Sequence, residues 1–148
     1  MTTIHVPAGE GRRYPMIDGD HVAKAAVQDA GGAFKVFEVI APAAPMAPLH
    51  ISPWTDVLFL LEGRITVLVD GTSYDVEPGG LVGVPAGTPA TFEVVGERSR
   101  LLVVTSGDGA GRFFADFARS VTADRPAEES MEAILSVTMR HGVALAGR

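Results

Sequence analysis

Between residues 34 and 105 the apolar positions come in short runs, each closed by glycine, proline or aspartate. Residues 34–40 form the first run, which ends in the proline-rich stretch 41–48. Residues 57–61 are apolar without interruption, and Glu62-Gly63 turns the chain into 64–69. Asp70-Gly71 marks a hairpin, because both turn positions need positive φ and this pair tolerates it. Residues 72–76, 81–84, 90–95 and 101–105 complete the series, with Pro78-Gly79-Gly80 as a further turn. Short strands at this spacing predict an all-β fold, an antiparallel barrel or sandwich.

After residue 106 the period changes. Gly107, Gly109 and Gly111 read as a linker, and 112–117 predicts a short helix. Asp124 or a neighbour caps a second helix with Pro126 in its first turn. Met131, Ile134, Leu135 and Thr138 fall on one helical face, and Gly142 stops it beside His141, an end-of-helix cation. Both helices are expected to pack outside the barrel. The chain divides into an N-terminal extension (1–33), a barrel core (34–106) and C-terminal helices (112–142) of one domain.

Composition narrows the function classes. With 148 residues, 47% hydrophobic and 20% charged, the chain has enough apolar mass for one well-formed core. A net charge of −6, with Arg12-Arg13 and Arg98-Ser99-Arg100 as the basic concentrations, argues against nucleic acid as a partner. No apolar run reaches the ~20 residues of a membrane span, and the N-terminus lacks a signal-peptide layout. Without cysteine there is neither a disulfide framework nor a thiolate site. A cytoplasmic protein acting on a small molecule is the expectation. Nucleophile elbows, phosphate loops and dinucleotide fingerprints are missing.

Two segments carry a resemblance. Pro48-Leu49-His50-Ile51-Ser52-Pro53-Trp54-Thr55-Asp56 runs into Leu61-Glu62-Gly63, and Pro78-Gly79-Gly80 leads to Pro85-Ala86-Gly87-Thr88-Pro89-Ala90. Together they resemble the two motifs of the cupin superfamily, and the tail from Arg112-Phe113-Phe114 to Arg140-His141-Gly142-Val143 is similar to small quercetin-dioxygenase-like cupins. The resemblance implies a double-stranded β-helix (jelly roll) barrel, C-terminal α-helices and a homodimer. It also implies a metal held by a His-x-His pair, a carboxylate and a later histidine. Here those positions read His50, Ser52, Asp56 and Ala90.

A protein metal site needs about three good ligands. His50 and Asp56 are donors, Ser52 is a poor one and Ala90 is none. No cofactor is therefore expected. The alternative is a divalent transition metal on His50 and Asp56, with Glu38 turned inward as a further carboxylate. His50 reads either as a hydrogen-bonded histidine in the barrel mouth or as a general acid or base. Asp56 reads as a structural carboxylate or as the group that orients His50 and raises its pKa. Alternation puts Asp56, Leu58 and Leu60 on one face of their strand and Ala90, Phe92 and Val94 on one face of theirs. With Asp56 at the carboxylate position, as the resemblance implies, both faces look into the barrel. Ser52 and Trp54 are candidates for substrate contact, Trp54 at the barrel rim. Met46, Phe59, Leu60, Ala90 and Phe92 are candidate pocket linings, and Glu38 and Thr105 candidate inward polar groups. Tyr14, His21 and His141 lie outside the motifs.

Three functions follow. The leading one is a metal-independent enzyme of bacterial secondary metabolism that dehydrates, isomerises or cyclises a small apolar or aromatic metabolite. The alternatives are a metal-dependent quercetinase-like dioxygenase and a non-catalytic cupin that binds a small molecule.

Overall fold

The alternation in the sequence becomes an antiparallel, strongly curled sheet closed on one side by helices. The computed structural model describes residues 3–44, 46–122 and 124–146. Its strands are β1 (Arg12–Met16), β2 (Gly19–Asp29), β3 (Gly32–Pro42), β4 (His50–Ile51), β5 (Asp56–Val69), β6 (Thr72–Val76), β7 (Leu81–Val84), β8 (Ala90–Ser106) and β9 (Ala144–Leu145). The helices are α1 (Gly109–Ser120) and α2 (Met131–Arg140), the second preceded by a 3-10 turn at Ala127–Ser130.

Two long bent strands organise the sheet. The sequence shows 57–61 and 64–69 as separate strands, and likewise 90–95 and 101–105. Each pair is one strand, β5 and β8. In the β5–β8 ladder Asp56 to Leu60 pair with Thr105 to Leu101, and Arg64 to Val69 pair with Val95 to Ala90. Register breaks at Leu60/Glu62 and Glu62/Arg64 supply the bend between the halves. Gly63 sits there at φ +86, and a Cβ on it would lie 2.5 Å from the Arg98 carbonyl oxygen. Asp70 (φ 49) and Gly71 (φ 83) form the expected hairpin turn.

Residues 1–33, read as an extension, contain two strands of the sheet. β1 pairs with β2, and β2 with β3. Their sequence hides them. β2 is alanine-rich and poor in β-branched residues, and Pro15 interrupts β1, which tolerates it as an edge strand.

The inward faces form two clusters. One is aliphatic, around Leu58, Leu60, Ile65, Val67 and Leu101. The other is aromatic, joining Phe37 and Trp54 to Phe113, Phe114 and Phe117 of α1 and to Val137 of α2. The helices thus do more than pack outside, because α1 sends its phenylalanines into the barrel interior. Gly109, read as linker, begins α1, and its missing side chain admits Trp54, whose ring lies 3.3 Å from where a Cβ would stand. At α2 the N-cap is Ser130, and Pro126 precedes the 3-10 turn instead of sitting in the helix. Gly142 stops the helix at φ +70 as expected.

Asp116 fastens α1 to α2. It accepts hydrogen bonds from Arg140 Nε at 3.1 Å and His141 Nε2 at 2.8 Å, and from Arg119 and Ser120 within its own helix. These donors, Arg140 foremost, hold its carboxyl far below the usual range. Beyond α2, β9 pairs Leu145 with His50 and Ala144 with Ile51, while the Ala146 N–H donates to the Leu49 carbonyl at 2.8 Å.

Candidate acid–base site

A cavity of about 90 Å³ opens between the curled sheet and α1. Each wall comes from a different part of the chain. β4 and the loop after it supply His50, Ser52 and Trp54. β5 supplies Asp56 and Leu58, β8 supplies Ala90 and Phe92, and α1 supplies Phe113 and Phe114. His50 faces Ala90 across the β4–β8 pairing, so the alanine leaves room where an imidazole would stand. The lining is mostly apolar with a few polar groups, the usual composition of a small-molecule pocket.

Asp56 is the electrostatic centre. Burial raises its pKa from the ordinary 3.8 to about 7, because the carboxylate loses hydration in this apolar wall. A hydrogen bond from the Trp54 side chain works against the rise without cancelling it. Trp54 is buried, not at the rim, and its ring packs 5.7 Å from that of Phe113. At neutral pH a large share of Asp56 is a carboxylic acid with a proton to give.

His50 is not oriented by Asp56. No hydrogen bond joins them among the described residues, and His50 Nδ1 contacts the Pro48 carbonyl oxygen at 3.3 Å. A carbonyl only accepts, so Nδ1 carries a proton, and in the neutral ring it is Nε2 that offers the lone pair.

The structure adds a residue that sequence reasoning missed. His21, on β2, is 5% exposed and lines the same cavity. Its ring lies 4.5 Å from that of Phe114, and Nδ1 contacts the Gly19 carbonyl oxygen at 3.2 Å. The same reasoning puts a proton on its Nδ1. Asp18, in the turn before β2, also lines the cavity. The signal that would have found His21 was the strand character of 19–29, which the alanines conceal.

Other candidates stand elsewhere. Glu38 points to the outer face and pairs with Arg100 at 2.7 Å, and Arg100 also binds Glu62 at 3.1 Å. The inward carboxylate expected there is absent because Glu38 alternates with the inward Phe37 and Val39. Phe59 is on the outer face, beside Leu81 and Leu102 in the pairing. Leu60 faces inward but is fully buried in the aliphatic core. Thr105 is likewise fully buried, its hydroxyl without a hydrogen-bond partner, and it does not line the cavity. Met46 is half-buried in the loop before β4, away from the cavity wall.

The donor set does not fit the metal that the resemblance implies. Among the described residues no three His, Cys, Asp or Glu side chains gather as a metal site would require. Ala90 offers a methyl group opposite His50, and Glu38, the one further ligand considered, is turned outward and ion-paired with Arg100.

Comparison with known proteins bears on the fold. The Cupin domain family matches residues 36–105. Quercetin 2,3-dioxygenase of Bacillus subtilis (strain 168) is 29% identical over 101 residues, which is 66% of this chain and 29% of that enzyme's length. The polyketide cyclase RemF from Streptomyces resistomycificus superposes with a TM-score of 0.60 at 21% identity, covering 71% of this chain and 80% of the other. KdgF from Halomonas sp. gives 0.62 at 14% identity, with 71% and 94% covered. At these identities the two structures show a shared fold.

Proposed function

The chain is a cupin-domain protein, and from that premise we propose that it is an enzyme of metal-independent acid–base chemistry on a small, largely aromatic molecule. The observation that carries this reading is a buried carboxyl group, its pKa raised to about 7, in one cavity with two imidazoles that each turn Nδ1 to a backbone carbonyl. Acid and base must coexist at the working pH, and a raised carboxyl pKa achieves that.

In a dehydration, Nε2 of His50 takes a proton from carbon while the Asp56 O–H protonates the departing hydroxyl, which leaves as water. In an isomerisation the Asp56 proton goes to a carbonyl oxygen as the base removes one from the neighbouring carbon, giving the enol. In a cyclisation the carbon so deprotonated attacks a second carbonyl carbon of the same molecule, whose C=O π bond breaks as its oxygen takes the Asp56 proton. Ser52 and His21 position oxygen groups. Trp54, Phe92, Phe113 and Phe114 hold the reacting end of an aromatic molecule whose remainder extends out of the cavity mouth. The fold shared with a polyketide cyclase supports cyclisation among these outcomes.

The test is to incubate purified protein with aromatic polyketones and polyphenols and follow products by mass spectrometry. Isomers or products of water loss are expected, with His50→Ala slowing turnover by about 10²- to 10⁴-fold. Unchanged turnover in His50→Ala rejects this mechanism.

A second reading rests on the sequence similarity to quercetin 2,3-dioxygenase. It predicts incorporation of molecular oxygen into product and about one equivalent of transition metal in protein purified without chelator.

A further inference from the structure

We propose that a second cavity, outside the acid–base site, binds a small organic anion. It has a volume of about 200 Å³ and lies between β2, β3 and the first turn of α1, with Tyr14, Lys24, Ala25, Lys35, Phe37 and Gly111 in its wall. Its aromatic floor, Phe37, is in edge contact with Phe114 of the acid–base cavity at 4.9 Å.

The charge around it is out of keeping with the rest of the molecule. The chain carries −6 overall and has two lysines, and both line this cavity. Among the described residues neither lysine enters an ion pair, whereas Arg13, Arg64, Arg100, Arg112, Arg119 and Arg140 all do. Asp108, whose charge Lys35 feels, is already paired with Arg112 at 2.6 Å. Lys24 is tethered by the Pro7 and Glu10 carbonyls, at 3.3 and 2.7 Å, which leave its charge unneutralised. Arg12, outside the wall, sets its guanidinium 5.5 Å from the centre of the Tyr14 ring that lines it.

Two local features build the hollow. A β-bulge between Ala23 and Ala25 takes Lys24 out of the β2–β3 register. Gly111 lets the Lys35 side chain lie against α1, since a Cβ there would meet Lys35 Cδ, Cε and Nζ at 2.7, 2.9 and 3.1 Å. An unpaired, half-buried ammonium beside an aromatic floor suits a carboxylate or phosphate carried on an apolar body. An enclosed apolar cavity of about 150 Å³ admits benzene, so one ring with its oxyanion is of the right size.

The experiment is amide chemical-shift mapping of the whole chain at low ionic strength, titrated with benzoate, phenyl phosphate, inorganic phosphate and, as neutral control, benzyl alcohol. Benzoate or phenyl phosphate is expected to shift residues 23–26, 35 and 111 saturably, with benzyl alcohol weaker than either and added salt weakening both anions. Benzoate ahead of phenyl phosphate identifies a carboxylate; the reverse order, or saturation by inorganic phosphate, identifies a phosphate group. Lys35→Met, which keeps the apolar stem, is expected to weaken binding about tenfold or more. No saturation by any anion, shifts centred on residues 50–56 and 90, or unchanged affinity in folded Lys35→Met overturns the proposal. Should Lys35→Met not fold, Gly111→Ala displaces the lysine with its charge intact. Loss of affinity there supports the site, and retention overturns it.

Discussion

Asp56 shows how a single residue turns burial into chemistry. Its folded pKa of about 7 lies above the ordinary 3.8, so between these values the native protein holds a proton that the unfolded chain has released. Stability is therefore greatest below that window and declines as pH rises through it, by about 4 kcal/mol at most. Asp56→Asn removes the burden. Denaturant unfolding of the variant is expected to match wild type near about pH 4 and to exceed it above about pH 7. Parallel curves for the two proteins would mean that Asp56 is hydrated and ionised throughout. In the proposed reaction the same proton makes wild-type turnover fall above pH about 7, a limb that Asp56→Asn should lack. His50 and Asp56 were readable in the sequence as a pair, but not their independence. The Pro48 carbonyl that binds His50 is a backbone group, and side-chain motifs carry no record of it.

At the scale of elements, alternation decided correctly wherever strand limits were known. It placed Asp56, Leu58 and Leu60 inward, and the structure agrees. Phe59, a candidate pocket lining by sequence, is a correction: it lies between the inward Leu58 and Leu60 and so faces outward. What alternation could not give was depth along the barrel, which separates Leu60 in the sealed core from Leu58 at the cavity wall. Leu60→Ala is expected to cost about 2–5 kcal/mol of stability, since it empties a fully enclosed site. Ligand affinity at the cavity should stay near wild type. A large loss of affinity with little loss of stability would return Leu60 to the pocket. The strands β1 and β2 went unread for a different reason. Alanine, lysine and glutamine carry little strand preference, and pairing with β3 overrides them. With those strands went His21 and the anion cavity.

On the whole molecule, the outer sheet face carries Phe59, Leu81 and Leu102 next to the Arg100–Glu38–Glu62 cluster. Leu81 is 59% exposed there. An apolar centre with an arginine and a charged margin has the composition of a protein interface. The homodimer expected from the family resemblance is proposed to form on this face. Light scattering should then give a dimer for wild type and a monomer for Leu81→Asp. A wild-type monomer, or a dimer that survives the substitution, removes this face as its seat. Among the described residues no helix is long and apolar enough to cross a membrane.

One pairing sets when the site comes into being. His50 lies on a two-residue strand held against β8 by Ala90 and against β9 by Leu145. During synthesis the imidazole is made early, yet its strand gains its second neighbour only after residues 144–146 have emerged from the ribosome. Until then the nascent chain can curl its sheet around an unfinished site. A chain that stops before β9 would lack the Leu145–His50 and Ala144–Ile51 pairings and leave His50 with β8 as its one neighbouring strand. The wall that carries His50 is thus complete only once residues 144–146 are free to pair with it.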